Sequence, residues 1–148
     1  PNASKVINKS ITSLGSLSSS YNVSVPSSGA YNTSYDIWDT GHKYEIMLWM
    51  NKTGAVGPLG TSQGGLTLGG HSWTVYKGNN GSNDVFSFVR TSNSSSGTVD
   101  VLPILKWIKD TKGWFGNVTI GDFQFGFEIT SSSGGLNFVV NSENVSNS

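Results

Sequence analysis

Residues 44–50 read Tyr-Glu-Ile-Met-Leu-Trp-Met, and this stretch has the alternation of a β-strand with one buried face. Successive side chains of a strand point to opposite faces, so the stretch presents one apolar face and one mixed face. The mixed face carries Glu45, Met47 and Trp49. A carboxylate in so apolar a strand is costly unless it is paired. We therefore expect the face that carries Glu45 to line a functional cleft.

A second stretch has the same character. Residues 123–129 read Phe-Gln-Phe-Gly-Phe-Glu-Ile, and their apolar side chains alternate with Gln124, Gly126 and Glu128. Two acidic residues within such apolar strands suggest that Glu45 and Glu128 share one cleft. A facing pair of carboxyl groups is the machinery of glycoside hydrolysis.

Composition narrows the possible classes of protein. The 148 residues suit a single domain, and 12% charged residues with zero net charge disfavour nucleic acid or an anionic membrane surface as partner. No apolar run approaches the ~20 residues of a membrane-spanning helix. The chain has no cysteine, and His42 and His71 lack a partner at helical spacing, so we expect no disulfide and no metal site. No nucleotide or phosphate motif is recognisable, and we expect no cofactor.

Asn-x-Ser/Thr glycosylation motifs bear on the location of the protein. A chain so rich in Ser, Thr and Asn also produces such motifs by chance. The chain opens at Pro1 and not at a methionine, which indicates processing or cutting. Together these features predict an extracellular, secreted glycoprotein. The nine motifs begin at Asn2, Asn8, Asn22, Asn32, Asn51, Asn80, Asn93, Asn117 and Asn144.

Short alternating runs separated by turn residues predict a β protein. The first 34 residues are polar; residues 22–25 alternate and could begin or end a strand. Residues 51–65, rich in glycine, are predicted to form a loop. The predicted strands are residues 31–38, 44–51, 66–68, 71–77, 84–90, 118–120, 123–130 and 136–145.

One helix is predicted at about residues 100–112. Asp100 is its expected cap, Pro103 falls in its first turn, and Gly113 ends it. These elements together predict an all-β fold, an antiparallel β-sandwich or jelly roll, with a concave substrate cleft and one α-helix.

Five motifs in order resemble those of glycoside hydrolase family 12, the endo-β-1,4-glucanases and xyloglucanases. Residues 34–38 resemble the family's A-Y-D-L-F strand, and residues 44–49 resemble its E-[IL]-M-x-W strand. Residues 57–60 resemble its G-P-I-G loop. Residues 73–81 and 85–89 are similar to its W-x-L-Y-x-G-x-N-G…V-F-S-F-V hairpin, and residues 125–129 to its second catalytic strand.

The resemblance implies a single domain over residues 1–148 that begins partway through the family fold, because family members are longer at the amino end. It implies endo-acting hydrolysis of a β-1,4-glucan (cellulose, mixed-linkage glucan or xyloglucan) by a monomer whose partner is the polysaccharide. One alternative is a catalytically impaired carbohydrate-binding or decoy module with the same fold. A weaker alternative is a sandwich like that of legume lectins.

The resemblance also implies catalytic roles. Glu45 would be the nucleophile and Glu128 the general acid/base of a retaining double-displacement mechanism. Asp36 would hydrogen-bond the nucleophile and hold its orientation. A surface aspartate close to a turn is the alternative for Asp36.

Four further residues are expected at the substrate: Met47, Trp49, Asn80 and Pro58. Met47 would pack against a sugar ring, although a methionine on a strand more often fills a core. Trp49 is a candidate stacking platform, with Trp38 and Trp73 as rivals. Asn80 would contact the sugar beside the catalytic centre, or be only a turn residue. Pro58 would border the rim of the cleft.

Overall fold

The computed structural model describes residues 3–131 and 137–148, and most of these residues lie in β-strands. The strands alternate with polar turns, as the short apolar runs of the sequence require. Their bounds are β1 Ala3–Ser10, β2 Leu17–Ser24, β3 Ala30–Asp39, β4 Tyr44–Thr53, β5 Thr61–Leu68, β6 His71–Asn79, β7 Asp84–Arg90, β8 Ser96–Asp100, β9 Thr119–Ser131 and β10 Val139–Asn147.

The described strands form two sheets. The larger has seven strands in the order β1-β9-β3-β4-β7-β6-β5, and the smaller has three in the order β10-β2-β8. Side chains from both sheets join one hydrophobic core, for example Leu17 and Tyr21 of β2 with Tyr35 of β3 and Leu48 of β4. The sheets therefore pack face to face, and the predicted all-β sandwich is confirmed.

The burial of β4 follows the alternation read from its sequence. Ile46, Leu48 and Met50 are fully buried in the core between the sheets. Glu45 and Met47 point to the opposite face of the large sheet, where Trp49 packs in a small separate cluster. The large sheet thus has one face in the core and one face available for a site.

One strand pair departs from the antiparallel pattern. β4 and β7 run parallel, with Tyr44 opposite Asp84 and Trp49 opposite Val89. The hairpin of β5 and β6 lies beyond β7 in the sheet order, so the chain leaves β4, forms this hairpin and returns beside β4. As a result β4 is a central strand, with β3 on one side and β7 on the other.

The predicted helix is present with different internal geometry. An α-helix spans Leu102–Lys106 and continues as a π-helical segment, Trp107–Lys112, before Gly113 adopts the left-handed conformation that ends it. Asp100 does not cap it, because Asp100 belongs to β8 and the capping position is Val101, whose side chain makes no capping bond. The apolar side chains at the cap and along the helix are buried: Val101, Leu102, Ile104, Leu105 and Ile108.

Several predicted boundaries differ from the structure. The expected loop at residues 51–65 is shorter, because β4 extends to Thr53 and β5 begins at Thr61. β1 and β2 both lie before residue 31, in a polar stretch where the sequence predicts strand structure only at residues 22–25. The expected closing strand began at Leu136, which lies outside the described residues; β10 begins at Val139.

Candidate active site

Glu45 lies on β4 at the start of the strand, half-buried, on the face away from the core. The side-chain amide of Asn83 donates a hydrogen bond from Nδ2 to Glu45 Oε1 at 3.3 Å. On the other side of β4, the carboxyl of Asp36 on β3 lies near that of Glu45, and burial together with this proximity raises the pKa of Asp36. The carboxyl of Glu45 therefore has polar neighbours on both sides of β4.

Glu128 lies on β9, exposed, with Asn32 of β3 directly opposite in the ladder. Asn32 is completely buried, and its Nδ2 donates to Glu128 Oε1 at 3.3 Å. Each of the two glutamates thus receives one hydrogen bond from an asparagine amide.

One cavity brings the two glutamates together. Glu45 and Glu128 both line it, although they come from strands far apart in sequence. A second hollow adjoins it and shares Met47 and Glu128 with it. The first is lined by Glu45, Met47, Trp49, Gly57, Leu59, Asn80, Val85, Ser87 and Glu128. The second is lined by Ser34, Asp36, Met47, Gln124, Phe125, Gly126, Phe127 and Glu128.

Asp36 lies between the two strands that carry the glutamates, and its ladder partners are Met47 on β4 and Gln124 on β9. The pKa of Asp36 is raised from 3.8 to about 8, and the largest cause is burial. The neighbouring carboxyl of Glu45 raises the pKa further, through hydrogen bonding and charge, and the charge of Glu128 adds to this. Hydrogen bonding with Trp38 acts in the opposite direction. Oδ1 of Asp36 is buried and receives no hydrogen bond from a described group. Asp36 is therefore a neutral carboxyl at neutral pH, and it can donate its proton toward Glu45.

Of the other residues predicted to contact the substrate, some line the cavity and one does not. Met47 and Asn80 line the cavity, and Asn80 also orders its turn, since its Oδ1 accepts hydrogen bonds from the backbone N–H groups of Ser82 and Asn83. Pro58 is not among the lining residues. Its neighbours Gly57 and Leu59 bring the predicted loop to the cavity.

The tryptophans differ from one another. Trp49 lines the cavity but is only 2% exposed, so it forms part of the wall and presents almost no open ring face for stacking. Trp73 is buried in the main core, as expected for at least one of the rivals. Trp38 is half-buried, with its ring centroid 5.0 Å from that of His42.

Sequence reasoning missed Asn32 and Asn83. Asn32 could have been found, because it lies four residues before Asp36 on the same strand face. Asn83 lies in the turn between β6 and β7, where no periodic pattern indicates which way a side chain points.

The structure also bears on two of the glycosylation motifs. Asn32 and Asn51 are buried, so a glycan cannot occupy either in the folded chain.

Within residues 3–131 and 137–148, no group of three or more His, Cys, Asp or Glu side chains could hold a metal ion. His42 pairs instead with Asp122 at 3.1 Å, and His71 Nε2 contacts the Thr98 carbonyl at 2.7 Å. No helix in this part of the chain is long and apolar enough to cross a membrane.

Two carboxyl groups that line one cavity are the arrangement used by glycosidases that act through a pair of carboxyl groups. The sequence model of Glycosyl hydrolase family 12 matches residues 2–146. The chain is 34% identical over 139 residues to Endoglucanase S of Pectobacterium parmentieri, covering 84% of this chain and 52% of that protein. It is 32% identical over 134 residues to a probable xyloglucan-specific endo-beta-1,4-glucanase A of Aspergillus terreus, covering 84% of this chain and 54% of that protein.

Among solved structures, the xyloglucanase domain of NopAA, a type three effector from Sinorhizobium fredii in complex with cellobiose, is 40% identical with a TM-score of 0.94. The match covers 100% of this chain and 74% of that one. The chain belongs to glycosyl hydrolase family 12. It spans about half the length of the curated relatives it matches.

Proposed function

We propose that this chain hydrolyses internal linkages of a β-1,4-glucan with retention of configuration, with Glu45 as nucleophile and Glu128 as general acid/base. The observation that carries the proposal is that these two residues, from β4 and β9, line one cavity on the same face of the sheet. The endoglucanase and xyloglucan-specific endoglucanase names of the matched relatives support the substrate class. Cellulose, mixed-linkage glucan and xyloglucan are the candidate polymers.

The proposed reaction has two steps. An oxygen of ionised Glu45 attacks the anomeric carbon, the glycosidic C–O bond breaks, and Glu128 gives its proton to the leaving oxygen. Glu128 then takes a proton from water, whose oxygen attacks the same carbon and releases Glu45. The sum of the two steps is one water added across one glycosidic bond. Retention requires the two carboxyl groups to be about 5–5.5 Å apart at the sugar.

Asp36 supports this division of roles. Its raised pKa keeps it neutral at neutral pH, so its contact with Glu45 is a hydrogen bond between an acid and a carboxylate. Such a donor would hold the carboxyl group of Glu45 in place.

The test is a reducing-sugar assay on carboxymethyl cellulose and on xyloglucan. Glu45→Gln and Glu128→Gln should each abolish most of the activity, while Glu143→Gln, the same change on β10 outside the cavity, should retain it. Activity that survives both cavity substitutions would refute the assignments. An inactive but folded chain that binds the polymer would favour the carbohydrate-binding alternative.

Chemical rescue by azide distinguishes the nucleophile from the general acid/base. With an aryl cellobioside that has a good leaving group, azide should rescue Glu128→Ala and give a β-glycosyl azide, because it attacks the covalent intermediate from the open face. With Glu45→Ala it should give the α-glycosyl azide, since it then replaces the nucleophile. The reverse pairing would exchange the two roles.

An extracellular location is part of the proposal, because the polymeric substrate lies outside cells. The exposed Asn93 and Asn117 keep glycosylation motifs on the surface of the folded chain, in contrast to Asn32 and Asn51.

A further inference from the structure

The turn between β6 and β7 places a buried amide against the proposed nucleophile. Asn83 is 7% exposed, and its Nδ2 lies 3.3 Å from Glu45 Oε1 and 3.1 Å from the backbone carbonyl oxygen of Asp84. Both partners are acceptors, so the amide must present its NH₂ group to them. Its two N–H bonds match these two acceptors in number.

The backbone around Asn83 is fixed by the same turn. The Asn83 N–H donates to Asn80 Oδ1 at 2.9 Å, and the Asn80 N–H donates to the Asn83 carbonyl at 3.2 Å. The next residue, Asp84, starts β7 and lies opposite Tyr44 in the parallel ladder. The amide of Asn83 is thus carried by a rigid segment that is tied to the strand of Glu45.

Glu45 is then held from two sides. Asp36 reaches it from β3, and Asn83 reaches it from the turn that leads into β7. Two contacts from opposite sides of β4 restrict rotation of the carboxyl group more than either contact alone. A nucleophile gains rate from such orientation, because small misplacements of reacting atoms are costly.

We propose that Asn83 is a positioning residue, which fixes the carboxylate of Glu45 for attack on the anomeric carbon through its Nδ2 hydrogen bond. The proposal rests on the assignment of Glu45 as nucleophile. Asn83 falls in the part of the hairpin between Gly81 and Val85, outside the stretches whose motifs resemble the family.

The test isolates the step that Glu45 performs. A 2-deoxy-2-fluoro-β-cellobiosyl fluoride labels a retaining enzyme when the nucleophile forms a bond to the anomeric carbon and fluoride leaves, and this step needs no proton from Glu128. The label is located by peptide mass spectrometry. The measured quantities are the first-order inactivation rate constant and the inhibitor concentration at half-maximal rate.

Asn83→Ala should lower the inactivation rate constant about tenfold or more, the loss expected when a hydrogen bond to a charged group is removed, with little change in the half-maximal concentration. Asn83→Ser should behave alike, because its shorter side chain keeps the turn but does not reach Glu45. The matched control is Asn79→Ala in the same turn, whose amide bonds Asp84 Oδ1 and the Gly81 N–H and not Glu45. The Asn79→Ala protein should be inactivated with the same rate constant as the unchanged chain.

The possible outcomes distinguish a failure of the role of Asn83 from a failure of the proposed function. If the unchanged chain labels at Glu45 and either folded Asn83 variant labels equally fast, the positioning role is wrong and the proposed function stands. Slowing of Asn79→Ala to the same degree would show that only the turn matters, and would also overturn the role. If the unchanged chain does not label at Glu45, the proposed function fails and the role of Asn83 fails with it.

Discussion

The carboxyl of Asp36 lies beside the carboxyl of one catalytic candidate and within the field of the other. Its pKa of about 8 arises first from burial and then from Glu45, through the hydrogen bond and the charge. In the unfolded chain this carboxyl would ionise near its ordinary value. The folded protein therefore binds a proton at Asp36 over a range of pH in which the unfolded chain does not.

This difference predicts a pH dependence of stability. Between about pH 4 and about pH 8 the folded state holds more protons than the unfolded state, so the free energy of unfolding should fall as pH rises through that window and level off above it. Asp36→Asn, which keeps a neutral donor of the same shape, should make this slope shallower. Urea unfolding at a series of pH values measures it.

The charge-matched comparison is Asp110→Asn, an exposed carboxylate that pairs with Lys109 far from the cavity. If Asp36→Asn and Asp110→Asn show the same slope as the unchanged chain, Asp36 is ionised in the folded state and the account of its neutral carboxyl fails. Asp36→Ala, which lacks a donor, should also lower kcat more than Asp36→Asn does.

For individual residues, the sequence predicted which side chains share a strand face but not which side chains contact one another. The alternation of β4 and β9 correctly placed Glu45 and Glu128 on faces away from the core, because a strand has a strict period of two. The bonds from Asn32 and Asn83 depend on pairing register and turn geometry. Neither is encoded in a local pattern, and both follow only once the strands are assembled.

Among the elements, β6 and the loop before β5 illustrate how close packing positions the rim of the cavity. Gly78 of β6 lies so near the loop that an added Cβ would come within 2.8 Å of Gly60 Cα and 3.0 Å of Gly60 N. Both are backbone atoms, which cannot rotate away. Leu59, beside Gly60, lines the cavity and is 43% exposed.

Gly78→Ala should therefore destabilise the protein by about 1–3 kcal/mol, the usual cost of overpacking, and displace Leu59 from the cavity. The free energy of unfolding in urea measures the first effect. Gly116→Ala is the control, because an added Cβ there meets nothing within 4 Å. A Gly78→Ala protein as stable as the Gly116→Ala protein would show that the loop moves freely.

Three features of the fold were missed from the sequence, each for its own reason. β2 has the alternation of a half-buried strand, but Ser19 occupies one of its buried positions and hides the pattern. β8 is short and carries only Val99 into the core. The parallel pairing of β4 with β7 has no local signature at all, because it depends on where a distant hairpin lies.

For the whole molecule, a buried polar contact joins the two sheets through the core. Ser19 Oγ of β2 lies 2.7 Å from the hydroxyl of Tyr35 on β3, and Ser19 also donates toward the Asn144 carbonyl and Glu143 Oε2. Tyr35 is completely buried, and burial raises its pKa. Its hydroxyl depends on Ser19, whereas Ser19 has other partners.

This asymmetry predicts unequal effects. Ser19→Ala leaves the Tyr35 hydroxyl buried without its partner and should cost about 1–3 kcal/mol, while Tyr35→Phe leaves Ser19 its contacts on β10 and should cost less, about 0.5–1.5 kcal/mol. The double variant should cost less than the sum of the two. A thermodynamic cycle from urea unfolding checks this. Additive effects would mean that the two hydroxyls do not interact.

The return of β7 to the side of β4 sets an order of assembly during synthesis. β3 leaves the ribosome before β4 and can pair with it at once, so Asp36 meets Glu45 early. Asn83 and β7 emerge only after the β5–β6 hairpin, so the contacts that they make with Glu45 and β4 form later. Contacts between distant segments form more slowly than local ones. The nascent chain thus passes through a stage in which Glu45 has its neighbour from β3 but not the hydrogen bond from Asn83.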